Sequence, residues 1–132
     1  MSEFKLKIST NIHSPDYDDR IDVAYPCRYS CENGIYRLKY TDDEAGFTVI
    51  KISGDGEIII RRQNSFMIVL REGYLHTADC DTPYGTIPMQ FTARKINCRL
   101  GEHGGIAEYV ADMVVGGAAQ TNTVVMEIIE EI

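Results

Sequence analysis

The sequence predicts an all-β fold, an antiparallel barrel or sandwich of short strands. Three observations carry this. Apolar residues alternate with polar ones in several segments, the period of a strand with one buried face. Turn-forming residues recur about every ten positions. All eleven glycines fall at or after Gly34, where those turns crowd.

The elements follow in chain order. Phe4, Leu6, Ile8 and Ile12 alternate with Lys5, Lys7, Ser9 and Asn11, which makes a first strand. The stretch 13–33 is the least regular. Its Asp16, Asp18, Asp19 and Asp22 are close enough to suggest a calcium loop. The glycine and the distal bidentate Glu of a helix–loop–helix site are missing, so a solvated acidic loop leading into a strand near 21–25 is expected. Tyr36, Leu38 and Tyr40 alternate with Arg37, Lys39 and Thr41. Segments 47–52 and 57–62 flank Ser53-Gly54-Asp55-Gly56, and Asp-Gly accepts the positive φ angles of a tight hairpin. A strand over 66–71 follows the polar turn Gln63-Asn64-Ser65. Ile87, Met89, Phe91 and Ala93 share one parity, and Ile96, Cys98 and Leu100 share the other. That switch predicts a bulge or a turn near Arg94 and Lys95. Segment 121–132 is rich in Val and Ile and has strand length.

Segment 106–115 reads two ways. Ile106, Tyr109, Val110, Met113 and Val114 have the spacing of an amphipathic helix closed by Gly116. As a strand, the same stretch puts Ala107, Tyr109, Ala111, Met113 and Val115 on one apolar face, and no Ser, Thr or Asp caps a helix start at Gly104-Gly105.

A chain of 132 residues makes one domain, residues 1–132, with no linker or low-complexity tract. At that size about two-thirds of the unfolded surface is buried, so neither disulfides nor metals are needed to hold the fold. The net charge of −7 argues against a nucleic-acid or anionic-membrane partner. Charge alternates with apolar residues from Glu3 onward, leaving no signal-peptide core, and no apolar run approaches the ~20 residues of a membrane span. A cytoplasmic protein is expected, with Cys27, Cys31, Cys80 and Cys98 as reduced thiols.

Cys80-Asp81-Thr82-Pro83-Tyr84-Gly85, followed by an alternating strand that reaches Thr92, resembles the YwiB-like family of small bacterial proteins. The likeness takes in Tyr36-Arg37-Leu38-Lys39-Tyr40, the strand over 58–62 ending in Arg, Gly105-Ile106 through Tyr109, and the final β segment. The resemblance implies a closed, mainly up-and-down, calycin-like (lipocalin-like) antiparallel barrel of about 8–10 strands. It also implies strand rather than helix for 106–115, and it implies no activity.

Barrels of about eight strands either hold one small molecule or are packed solid. Arg62 shares strand parity with Ile58 and Ile60, and an inward arginine is costly unless paired; a ligand carboxylate would supply a bidentate partner. Tyr84, Thr92 and Tyr109 are candidate hydroxyl donors to the same pocket. Thr82-Pro83-Tyr84-Gly85 also has a structural account as a corner between strands, because Pro pre-sets φ and Gly permits the turn. Pro88 cannot donate to a ladder and marks an edge or a bulge. No nucleophile elbow, phosphate loop or His-Glu-x-x-His motif is present. The expectation is a non-enzymatic barrel without cofactor or metal that binds a small amphipathic or carboxylate ligand, as a monomer or homodimer. The alternative is an interaction or structural module with a solid core, acting through an edge or dimer face.

Overall fold

The computed structural model describes residues 3–63 and 67–131. The expected Asn64-Ser65 turn and the Phe66 start of the next strand lie outside the described residues, as do Met1, Ser2 and Ile132. The described residues form ten strands: β1 (Glu3–His13), β2 (Asp18–Glu32), β3 (Ile35–Asp42), β4 (Gly46–Ser53), β5 (Ile58–Arg62), β6 (Ile68–Leu70), β7 (Leu75–Thr82), β8 (Gly85–Gly101), β9 (Gly104–Val115) and β10 (Ala118–Glu131). They form one antiparallel sheet in the order β6-β5-β4-β3-β2-β1-β10-β9-β8-β7. Chain neighbours are sheet neighbours throughout, except at β6 and β7. β1 pairs with β10, so the sheet curls into a nearly closed barrel whose seam lies between β6 and β7.

Segment 106–115 is strand. Ala107 and Ala111 are fully buried, and β9 is paired on both sides, by β8 and β10. The helical spacing of its apolar residues loses to two ladders of backbone hydrogen bonds. The acidic lead-in is shorter than the sequence suggests, because β2 runs for fifteen residues from Asp18. Asp22 there bonds to Arg20, and Asp18 contacts His13. β7 was not legible as a strand. Its inward positions, His76, Ala78 and Cys80, are too small or polar to announce a buried face.

Turn chemistry sets the register. Asn33 and Gly34 both take positive φ, 52° and 75°, the two-residue hairpin turn that joins β2 to β3. The Ser53–Gly56 turn closes through Gly56 N–H to the Ser53 carbonyl. The parity switch in β8 is a bulge: the ladder to β9 shifts between Ala93 and Lys95, so Phe91 and Ala93 face inward before it and Ile96, Cys98 and Leu100 after it. What reads as two short segments is one seventeen-residue strand. Pro88 lies just outside the β9 ladder, which begins at Met89, and faces β7 at Asp79.

The core is the barrel interior. Phe4, Leu6, Leu38, Ile50, Ile52, Ile58, Ile60, Leu70, Phe91 and Met126 are among its buried members, each on the inward parity of its strand. The Thr48 side chain is buried with them and donates its hydroxyl to the Gly46 carbonyl.

The seam is closed by single contacts rather than by a ladder. Glu72 bridges Ala93 in parallel, and Gly73 N–H donates to the Ala93 carbonyl. The Glu72 carboxylate accepts the Ile96 N–H at 2.8 Å, and the His76 imidazole lies 3.0 Å from the Met67 carbonyl.

Candidate functional site

Arg62 closes β5 on the same parity as the buried Ile58 and Ile60, and so lies on the inward face. Register places it opposite Thr48 of β4, which in turn lies opposite Tyr40 of β3. These three side chains therefore form one row across three strands. Tyr25 of β2 stacks on Tyr40 with ring centroids 5.1 Å apart and donates its hydroxyl to Asp42. From the far wall, Tyr109 of β9 enters the same region, since the Arg62 charge acts on the hydroxyls of both Tyr40 and Tyr109. A polar layer thus crosses an otherwise apolar interior.

The electrostatics of this layer follow from burial. Desolvation pushes the Tyr40 and Tyr109 hydroxyls up to about 12, and Arg62 acts against it on both. Burial also works to raise the Asp42 carboxyl, but the Ala45 and Glu44 N–H groups, the Tyr25 hydroxyl and Arg62 outweigh it, leaving Asp42 below its ordinary value. Arg62 itself is incompletely satisfied. Its Nε is buried and has no hydrogen-bond partner among the described residues. A buried, unpaired donor on a charged group is costly, so this is the least satisfied point of the layer.

Two of the four residues singled out from the sequence, Arg62 and Tyr109, come together here. The other two do not. Thr92 lies between the buried Phe91 and Ala93 and therefore points outward, across from Leu75 and Asp112. Tyr84 sits at the tip of the two-residue β7–β8 turn and is 99% exposed. Its N–H is held by the Thr82 hydroxyl, which also donates to the Gly85 carbonyl, so Thr82-Pro83-Tyr84-Gly85 is a hairpin corner and not a pocket wall. Tyr40, Thr48 and Asp42 were missed. The signal for Tyr40 was present in the alternation of β3, but only cross-strand register sets it in one row with Arg62.

A second feature is a groove of about 900 Å³ at the seam. The Ser53–Gly56 turn and Arg71 form one side of it, Ile96, Cys98 and Leu100 of β8 the other, and Tyr36 also lines it. Arg62 is not part of this groove.

Several exposed basic side chains carry carboxylate partners, Arg99 with Glu108 at 3.9 Å among them. Arg71 pairs with Glu57 at 2.8 Å, and Arg94 with Asp112 at 2.6 Å. All four cysteines are free thiols, with burial pushing Cys27 up to about 11.

The family described as "Domain of unknown function (DUF1934)" matches residues 6–126. The chain belongs to that family. None of the curated proteins matches. Among solved structures, the crystal structure of the ywiB protein from Bacillus subtilis is similar, with a TM-score of 0.80 at 19% identity, covering 96% of this chain and 91% of that one. At that identity the likeness speaks for the fold alone. It agrees with the barrel of the DUF1934 chain described above.

Proposed function

We propose that this barrel is a cytoplasmic, non-catalytic carrier or sensor that takes up a small molecule bearing a carboxylate, with Arg62 as its anchor. On this reading it works as a calycin-like (lipocalin-like) container does, the apolar interior accepting the ligand body and one cation fixing its orientation. The observation that supports it is the buried Nε of Arg62, a charged donor without a partner among the described residues. A carboxylate would accept from the guanidinium in a charge-assisted, bidentate pair. The Tyr40 and Tyr109 hydroxyls, protonated at neutral pH as any phenol is, would serve as further donors.

Native mass spectrometry of the protein purified from cells tests this. The expected result is an added small mass on the wild type that Arg62→Met loses. Wild-type protein with no added mass, or a variant that retains it, would count against Arg62 as the anchor.

A further inference from the structure

β8 carries a stretch of edge that no strand covers. β7 pairs with it from Gly85 through Thr92, and Ala93 meets Glu72 in a single bridge. Beyond Ala93, no described strand pairs with β8 on the side away from β9. The Ile96 N–H on that side is taken by a side chain, that of Glu72. Bonding direction alternates along an antiparallel ladder, so the backbone groups of Cys98 and Leu100 face the same way as those of Ile96. All three residues line the seam groove. The stretch ends at Gly101, whose carbonyl accepts the Tyr29 hydroxyl at 2.6 Å.

We propose that this groove is a docking site for an extended peptide segment of a partner protein, which adds to β8 as a strand. Main-chain bonds to Cys98 and Leu100 would supply affinity, and side chains on alternate faces would supply selectivity. The stretch from Ile96 to Leu100 spans about 16 Å at ~3.3 Å per residue, the length of an average strand, with Glu72 holding the N–H at its Ile96 end. The chemistry of the occupant follows from the two rows it would meet. Its inward side chains would lie beside Ile96, Cys98 and Leu100, which favours apolar residues. Its outward side chains would lie beside Lys95, Asn97 and Arg99, whose positive charge Glu108 of β9, 3.9 Å from Arg99, offsets only in part, which favours Asp or Glu. A second copy of this chain fits less well. Edge-to-edge pairing of two β8 strands would bring Lys95 and Arg99 of both copies onto one face, and the Ser53–Gly56 turn walls the groove against a whole barrel. The partner is therefore an alternating apolar and acidic segment. This site is independent of Arg62.

Fluorescence anisotropy with a labelled hexapeptide of alternating Glu and Ile tests the proposal. Three comparisons accompany it: the same peptide with Lys for Glu, the same peptide N-methylated at alternate amides, and the protein carrying Arg99→Glu, an exposed change that replaces the 3.9 Å contact with Glu108 by a like charge and leaves the core intact. The expected result is saturable binding of the acidic peptide. Binding should weaken roughly three- to tenfold with Lys, vanish when the edge-facing amides are methylated, and shift toward the Lys peptide in Arg99→Glu. Equal binding of the methylated peptide, equal binding of the Glu and Lys peptides, or no binding at about 1 mM would overturn it. So would uptake of dodecanoate in the groove without any uptake of peptide.

Discussion

The Glu72 carboxylate accepts the backbone N–H of Ile96 at 2.8 Å, so an acid from the seam does for β8 what a neighbouring strand does elsewhere. The bond is exposed, which limits its worth. Glu72→Ala is expected to cost about 1 kcal/mol. Its sharper signature is local: amide exchange at Ile96 should accelerate while that of Phe91 stays slow. Unchanged exchange at Ile96 would remove the seam role from Glu72.

Gly105 has a different reason to be irreplaceable. It takes a φ of 142°, and a Cβ there would meet the Arg99 carbonyl oxygen at 2.1 Å. Gly105→Ala should therefore cost about 2–4 kcal/mol, from strain and from a displaced backbone. Gly117, also at positive φ but with open space around its Cβ position, should lose about 1 kcal/mol on the same change. Urea unfolding of the two variants decides, and similar losses would refute the close-approach account.

Arg62→Met separates a ligand anchor from a structural one. If the guanidinium waits for a ligand, removing it from the ligand-free protein relieves a buried, unpaired Nε. The ligand-free variant should then be more stable by about 1–3 kcal/mol. A lower denaturation midpoint than wild type would mean that Arg62 holds the fold together.

Alkaline pH should unfold the barrel from within. Desolvation raises Cys27 from 9.0 to about 11, and Tyr40 and Tyr109 from 10.0 to about 12, the two tyrosines against the pull of Arg62. A group whose folded value lies above its unfolded one gives stability that is complete below the unfolded value and lost as pH rises through the folded one. Stability should thus hold to about pH 9 and fall between 9 and 12, first through Cys27 and then through the tyrosines. Chemical denaturation at stepped pH measures it, and a flat profile across that window would show these groups to be solvated.

Tyr84→Ala should change stability by no more than about 0.5 kcal/mol, since the ring is 99% exposed at a turn. It should also leave any co-purifying mass in place. Loss of that mass would restore Tyr84 to the site.

The sequence carried most of the fold because the barrel is built from local signals. The Asp55-Gly56 turn, the alternation in β1 and β3, and the parity switch at Arg94 and Lys95 are each readable within about ten residues. Thr92 was readable too: the parity that buries Phe91 and Ala93 already turns it outward. The polar layer was only half legible. Parity gave Arg62, but Tyr40 and Thr48 join it through register, and Tyr109 through closure of the barrel. The seam groove was not legible at all, because where β7 stops covering β8 depends on strand lengths across the sheet.

The pairing of β1 with β10 bears on how the molecule is made. Its eleven residue pairs join segments more than about 100 positions apart. During synthesis β1 can find β2 early, yet its other edge stays open until Ala118–Glu131 has left the ribosome. A nascent chain halted before that point presents Phe4, Leu6 and Ile8 on an unfinished sheet, a surface that chaperones and sticky neighbours would both recognise. Such a distant pairing also places this barrel among the slower folders of its size.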